Sequence, residues 1–243
     1  MPAPELIHPA LWRATQLARG SARAVPTGHA ALSALLPDEG WPQGSLTELL
    51  TPHPGCGELS LLRPALAALD SGRDIVLLQP PCAPHIAAWM RWGLDPRRLL
   101  WLTPANARDA LWAADQVLKH GSCAALLCWL PQARPEALRR LHLASQGSET
   151  LFFALRPATA AQHASPAPLR LTLAPAPGGF NVQILKRRGP VCDTTLYLPF
   201  EESAQRLLPA LPAEPLLPAL PHAPLDRRLP AESAAGRRST ALV

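Results

Sequence analysis

The chain has 243 residues, of which 48% are hydrophobic and 17% charged, and it carries a formal net charge of +5. This length suits one sizeable domain with tails, and no uninterrupted apolar run approaches the ~20 residues of a membrane span. We expect a cytoplasmic protein without a signal peptide, because no charged leader and apolar run open the chain. The five cysteines form no CxxC pair and no His or Cys cluster has ligand spacing, so we expect reduced thiols and no metal site.

Apolar runs of strand length alternate with segments of helical spacing through most of the chain. In chain order, they predict helices over residues 9–19, 29–36, 59–69, 84–93, 107–120 and 135–146, and strands over residues 46–50, 74–79, 99–103, 123–130 and 150–155. The strands are apolar on both faces, and amphipathic helices lie between them. This pattern indicates an α/β fold whose mainly parallel sheet is flanked by helices on both sides.

The pattern changes after residue 157. Short or alternating apolar runs follow over residues 169–173, 181–185 and 194–198. Such runs are typical of antiparallel strands or hairpins, which we expect at the edge of the sheet.

The sequence predicts three regions: an N-terminal helix and lead-in (1–24), a core domain (25–200) and a C-terminal tail (201–243). In the tail, proline recurs at almost every third position, and the five acidic and five basic residues cancel. The core therefore carries the whole net charge. The tail is either disordered or polyproline-like, or it is a docking segment for a partner.

A turn rich in proline and glycine joins the strand at 46–50 to the helix at 59–69. A phosphate-binding loop has this setting, and it uses Lys to reach the phosphates and Ser or Thr to hold Mg²⁺. Here Glu58 follows Gly57 directly, so a carboxylate stands where a triphosphate would be repelled. Gly55 and Gly57 either still present backbone N–H groups to an anion or only permit the tight turn.

Two further positions of a nucleotide-hydrolysing site lack the necessary side chains. Trp129 ends the strand on which such enzymes carry a metal-binding Asp. Gln79 ends the strand after which a catalytic acid often follows. The Lys, the Ser or Thr, the Asp and the acid are therefore missing at four separate points. We expect no catalytic residue, no cofactor and no hydrolysis.

The densest basic cluster of the core is Lys186-Arg187-Arg188, directly after the run at 181–185. It either contacts a phosphate backbone or an acidic partner, or forms a solvated turn. The seven tryptophans are expected to be core or interface anchors. The eight histidines are dispersed, and no Ser-His-Asp or Cys-His arrangement is visible.

The order of these segments resembles the core of a RecA-type ATPase. Residues 25–49 look like the segment that leads into the Walker A strand of RecA. Residues 87–129, with Gly93-Leu94-Asp95 among them, follow the RecA layout of helix, turn, strand, long helix and Walker B strand. Residues 182–200 are similar to the closing strands of RecA. The chain departs from RecA at every ATPase position.

Those departures are themselves the pattern of a smaller family. Five segments strongly resemble ImuA, a family of translesion DNA synthesis-associated proteins that are RecA-like or SulA-like: His8–Ala14, Gly40–Leu50, Gly57–Leu59, Ala110–Ala114 and Lys186–Gly189. The resemblance covers roughly residues 8 to 200, and it depends on the order and spacing of these segments together.

The resemblance implies a RecA-like core and a non-catalytic role in SOS-induced, error-prone translesion DNA synthesis. It implies a mutasome with the polymerase-like adaptor ImuB and an error-prone C-family DNA polymerase, and contact with RecA or its filament. DNA itself is expected to be reached mainly through these partners. We expect Lys186, Arg187, Arg188 and the tail to carry the partner contacts.

Other classes of protein stay open at this point. One is a SulA-like inhibitor of cell division that binds a tubulin-like protein. Another is a nucleotide-dependent enzyme with an unrecognised site. A third is a single-stranded DNA-binding module, whose DNA affinity would depend steeply on salt.

Overall fold

The computed structural model describes residues 23–70, 72–189 and 191–200. The predicted helix at 9–19 and the Pro-rich tail at 201–243 lie outside these residues. The strands are β1 (Ala24–Pro26), β2 (Gly40–Pro42), β3 (Ser45–Thr51), β4 (Ile75–Leu78), β5 (Leu99–Leu102), β6 (Ala125–Trp129), β7 (Leu151–Pro157), β8 (Leu169–Ala176), β9 (Gly179–Lys186) and β10 (Thr195–Pro199). The helices are α1 (Ala30–Ser33), α2 (Glu58–Ala68), α3 (Ile86–Arg91), α4 (Ala107–His120) and α5 (Pro135–Ser145). Within the described ranges, no helix is long and apolar enough to cross a membrane.

Eight strands form one mixed sheet in the order β10-β9-β8-β3-β7-β6-β4-β5, and β1 pairs with β2 separately. The six strands from β8 to β5 run parallel, whereas β9 is antiparallel to both of its neighbours. The prediction of an α/β fold with a mainly parallel sheet is therefore confirmed.

The edge position predicted for the run at 169–173 is wrong. This run belongs to β8, which pairs in parallel with β3, with Thr47 opposite Leu169. Its side chains Leu169, Leu171 and Leu173 are buried. The physical reason is that β3 needs a strand on each side to bury it, and β8 supplies one of them. Only β9 and β10 continue the sheet in the expected antiparallel manner.

The side chains of the central strands alternate between two faces, and each face has its own apolar core. On β7, Leu151, Phe153 and Leu155 belong to the first core, and Phe152 and Ala154 belong to the second. Helices α2 and α3 contribute buried residues to the first core, and α4 and α5 contribute to the second. This two-sided coverage explains why the strands are apolar on both faces.

Local signals set the ends of α4. The Asn106 side chain accepts a hydrogen bond from the Asp109 N–H at 2.9 Å, and the helix ends at Gly121 with a φ of +66°. These are an ordinary N-cap and a left-handed C-terminal glycine. Helix α2 continues through Pro64, whose ring packs where Gly28 has no side chain. A Cβ at Gly28 would lie 2.1 Å from the Pro64 Cβ.

The sequence pattern does not predict the β1–β2 pair, because it favours a turn around Gly40, Pro42 and Gly44. In the structure, Pro26 lies opposite Gly40 in an antiparallel register. The pair carries Trp41, which is fully buried and meets Phe153 edge-on with ring centroids 5.3 Å apart. The local strand preference of a three-residue segment is weak, and the packing of this tryptophan stabilises the pair nonetheless.

Candidate functional site

The Pro/Gly-rich loop lies at the carboxyl edge of the sheet, between the end of β3 at Thr51 and the start of α2 at Glu58. Two glycines give the loop its path. Gly55 has a φ of +85° and Gly57 a φ of +102°, which is the left-handed region that other residues rarely adopt. Gly57 is the N-cap of α2. The predicted strand–loop–helix arrangement is present.

The Glu58 side chain folds back into this loop. Its Oε1 accepts a hydrogen bond from the Gly55 N–H at 2.7 Å, and the residue is only 3% exposed. The N-terminus of a helix favours negative charge, because unpaired N–H groups point outward there. The carboxylate of Glu58 therefore lies where a phosphate-binding loop holds its anion. The N–H of Gly55, one of the two glycines predicted either to bind an anion or to permit a turn, serves this carboxylate.

A cysteine and a histidine come together inside the same loop. The Cys56 Sγ lies 2.8 Å from the His53 carbonyl oxygen, to which it donates, and 3.3 Å from the His53 Nδ1. Sequence analysis missed this pair, although the two residues are only three positions apart. The Cys56 side chain is 4% exposed, so it is shielded from a substrate. Its hydrogen bond links residues 53 and 56 of the loop.

A cavity of about 260 Å³ opens beside the loop, under the prolines that follow β4. Glu58, Trp89, Trp92 and Trp129 are among its lining residues. Three atoms of this lining are buried without a hydrogen-bond partner: Glu58 Oε2, Trp89 Nε1 and Trp129 Nε1. Trp129 therefore forms part of the cavity wall at the position where a metal-binding carboxylate was expected in an ATPase.

A second cavity of about 400 Å³ adjoins the first and shares Pro54, Pro81 and Trp129 with it. The two cavities lie at the carboxyl ends of the parallel strands, where ligands bind in open α/β sheets. We call them together the edge groove. Its rim includes several prolines, which cannot donate backbone hydrogen bonds: Pro52, Pro54, Pro80, Pro81, Pro84, Pro131 and Pro157.

The basic cluster lies at the opposite edge of the sheet from the loop. Lys186 ends β9 opposite Arg170, which is level with the middle of β3. The chain then runs on to Arg188, which lines a cavity with Gly44 and Ser45 at the start of β3, whereas the loop follows the end of β3 at Thr51. The Lys186 ammonium donates to the Ser165 carbonyl oxygen at 3.0 Å, and the Arg187 guanidinium donates to the Leu35 carbonyl oxygen. The structure therefore does not bring the two predicted site regions together.

Arg188 is exposed and lines a cavity of about 140 Å³ together with His142. The His142 Nδ1 accepts a hydrogen bond from the Leu46 N–H at 3.2 Å. Burial lowers the pKa of His142, and the charges of Arg188 and Lys186 lower it further. The lowered pKa favours the neutral form of His142, whose Nδ1 accepts from β3.

A buried charge cluster crosses the centre of the sheet. Glu48 on β3 is fully buried, and its two oxygens accept from Arg156 Nη1 at 2.7 Å and Arg170 Nε at 2.5 Å. The other guanidinium N–H groups donate to the carbonyl oxygens of Leu130, Ala133, Ala160 and His163. Sequence analysis missed this cluster, although one glutamate in an apolar strand is a signal. Every contact is internal, so the cluster ties β7, β3 and β8 together.

In the part of the chain that the structure describes, no group of three or more His, Cys, Asp or Glu side chains is arranged to hold a metal ion. No protein-family model matches the chain, and no curated protein matches it either.

Proposed function

We propose that this protein is a non-catalytic accessory protein with a RecA-like core. The observation that carries the proposal is the Glu58 carboxylate, which lies in the loop at the N-terminus of α2 and takes the Gly55 N–H. An ATP phosphate at this place would meet a buried acidic group instead of a lysine. A loop that is occupied by the protein's own carboxylate fits a protein that keeps the fold of an ATPase but does not respond to nucleotide binding.

Within that class, we propose an ImuA-type component of the SOS mutasome. The order of the observed elements supports it. Helix α3 is followed by the Gly93-Leu94-Asp95 turn, then by β5, by the long helix α4 that ends at Gly121, and by β6. This is the order of segments that the resemblance to RecA and ImuA implies.

An exposed apolar surface supports a role in binding other proteins. Its residues flank β5, the last strand of the sheet, on both faces: Ile86 and Met90 on α3, Leu100 and Trp101 on β5, and Trp112 on α4, which are 45–64% exposed. We call it the β5 surface. Large exposed apolar side chains beside an open strand edge are typical of a site for protein partners.

The partners in this proposal are an ImuB-type adaptor, an error-prone C-family DNA polymerase, and RecA or its filament. Contact with DNA is made through them. Lys186 and Arg188, which are exposed, contribute charge to the docking of an acidic partner surface, together with the tail at 201–243. Reversal of the charges at 186 and 188 is expected to reduce recovery of RecA or the adaptor. Unchanged recovery would refute this part of the proposal.

The test is a pull-down of tagged protein from DNA-damaged cells, with the full chain and with a chain that ends at residue 200. We expect RecA and a Y-family-like adaptor to be recovered with the full chain. Loss of both on truncation would place the docking site in the tail. Recovery of the division tubulin homologue without either of them would overturn the proposal in favour of a SulA-like inhibitor.

A second measurement tests the absence of a nucleotide switch. Purified protein is titrated with ATP and Mg²⁺ in a calorimeter, and ATP turnover is followed in parallel with single-stranded DNA present. We expect neither binding nor turnover, because Glu58 fills the loop. Turnover that disappears with Glu58→Ala would show instead that this carboxylate belongs to an active site.

A further inference from the structure

We propose that the cavity beside the loop is a receptor for the cationic end of an Arg or Lys side chain, presented by an extended segment of a partner protein. The occupied loop does not by itself require such a site, and the inference holds whether or not the protein acts in translesion synthesis. It follows from the unpaired Glu58 oxygen, the aromatic walls and the rim of the cavity.

The first step concerns the Glu58 carboxylate. Its Oε1 is paired with the Gly55 N–H, but its Oε2 is buried and has no hydrogen-bond partner. A buried acceptor without a donor is unfavourable, and more so when it carries charge. A cationic N–H donor at this point would satisfy the oxygen and neutralise the charge in one contact.

The second step concerns the other charges at the cavity. Among the described residues that line it, Glu58 is the only acidic residue, and none is Lys or Arg. The lining residue His85 is exposed, and its Nδ1 accepts a hydrogen bond from the Ala88 N–H. The lining of the cavity therefore holds one acidic side chain and no Lys or Arg, which favours a cation.

The third step concerns the walls. Trp89, Trp92 and Trp129 line the cavity, and the Trp89 and Trp92 ring centroids are 6.5 Å apart. Indole faces attract ammonium and guanidinium groups within about 6 Å. The aliphatic stem of an Arg or Lys side chain also packs well on such rings. The walls thus suit an amphipathic cation better than an inorganic ion.

The fourth step distinguishes a protein segment from a free small molecule. At about 260 Å³, the cavity is smaller than the range of ~300–1,000 Å³ usual for small-molecule sites, but it continues into the second cavity of the edge groove. The rim of the groove is rich in prolines, which are rigid and lack N–H groups. An extended segment can lie along this preformed rim at a low entropic cost while its basic side chain enters the cavity.

The second cavity of the edge groove does not offer another charged group to the ligand. Its lining includes Arg156, but this guanidinium donates to Glu48 and to the carbonyl oxygens of Leu130 and Ala133. The negative group available to a ligand of the edge groove is therefore Glu58.

The test uses two capped pentapeptides of sequence Ala-Pro-X-Pro-Ala, in which X is arginine or its neutral isostere citrulline. Each is titrated into full-length ¹⁵N-labelled protein, and the indole N–H signals of the seven tryptophans are followed. We expect the arginine peptide to shift the signals of Trp89 and Trp129 and to bind on the order of tenfold more tightly than the citrulline peptide. Equal affinity of the two peptides, or no shift at these indoles, would overturn the proposal.

Two variants and a matched control test the roles of Glu58 and Trp92 in binding the arginine peptide. Glu58→Gln keeps an oxygen for the Gly55 N–H but removes the charge, so it should abolish the preference for arginine over citrulline. Trp92→Leu keeps an apolar wall without an aromatic face and should weaken the arginine peptide about two- to fivefold. Glu136→Gln, on an exposed position of α5, should change nothing. Retention of the full arginine preference in Glu58→Gln, with a native spectrum, would refute the role of this carboxylate.

Discussion

The buried charge cluster gives the sharpest stability prediction for this protein. Glu48→Gln preserves the size of the side chain but removes the negative charge between Arg156 and Arg170. The amide oxygen of glutamine can accept from one guanidinium, while its NH₂ group faces the other. Both arginines then stay in place with side chains only 9% and 8% exposed, and their charge has lost its partner.

The expected cost follows from this burial. Removing one partner of a buried, hydrogen-bonded ion pair typically costs about 3–5 kcal/mol, because the remaining charge is desolvated and uncompensated. In a domain of 150–250 residues, 1 kcal/mol corresponds to about 2–4 °C in Tm, so we expect a fall of roughly 6–20 °C. The two arginines keep their hydrogen bonds to backbone carbonyl oxygens in this variant. We therefore expect a loss of stability within this range rather than above it.

The measurements are urea unfolding, which gives the free energy of unfolding, and thermal unfolding, which gives Tm, each followed by tryptophan fluorescence and far-UV circular dichroism. The matched control is the triple variant Glu48→Leu, Arg156→Met and Arg170→Met, which removes all three charges together. It should regain most of the lost stability, because apolar replacement of a whole buried cluster is often neutral. A loss below about 1 kcal/mol for Glu48→Gln, as for an exposed pair, would refute the reasoning.

Three further predictions concern other elements. Gly44 and Gly93 both have positive φ, but a Cβ at Gly44 would lie 2.5 Å from a backbone oxygen, whereas Gly93 has open space around it. Gly93→Ala should therefore cost about 1–2 kcal/mol for the backbone alone, and Gly44→Ala should cost clearly more in chemical unfolding; equal losses would contradict the clash. Because burial lowers the pKa of His142, its contribution to stability is full above about pH 6.5 and is lost as the pH falls through the lower folded pKa. His142→Asn should reduce the difference in unfolding midpoint between about pH 7.5 and about pH 5.5, and an unchanged difference would contradict this. Trp112→Ser on the β5 surface should leave stability within about 0.5 kcal/mol but reduce partner recovery in the pull-down, while Leu143→Ser, a comparably exposed site on α5, should not; equal recovery from both would contradict docking at the β5 surface.

The element pattern of the central domain could be predicted well because it depends on short-range signals. The helix predicted at 107–120 is present as Ala107–His120, since Asn106 and Gly121 cap it and its apolar spacing is regular. The strand at 123–130 is present as Ala125–Trp129. By contrast, β1 and β2 are three residues each, and no local pattern of that length can outweigh the glycine and prolines around them.

The candidate site, too, could be predicted from the sequence only in part. The missing lysine and the glutamate that follows Gly57 are visible in the sequence, and they predict that the loop does not hold a triphosphate. That the Glu58 carboxylate turns back to the Gly55 N–H could not be predicted, because it depends on the rotamer that the buried loop permits. The unpaired oxygen and the three indoles around it meet only when α2, α3 and β6 pack together.

The sequence by itself determined the alternation of strands and helices, the two-sided burial of the sheet and the loss of the ATPase side chains. These properties depend on residue type and on spacing along the chain. Only the tertiary structure decided that β8 lies beside β3, that Glu48 lies between two arginines, and that the loop and the basic cluster occupy opposite edges. These properties depend on contacts between residues far apart in sequence, for which the apolar pattern of each segment is the same in many arrangements.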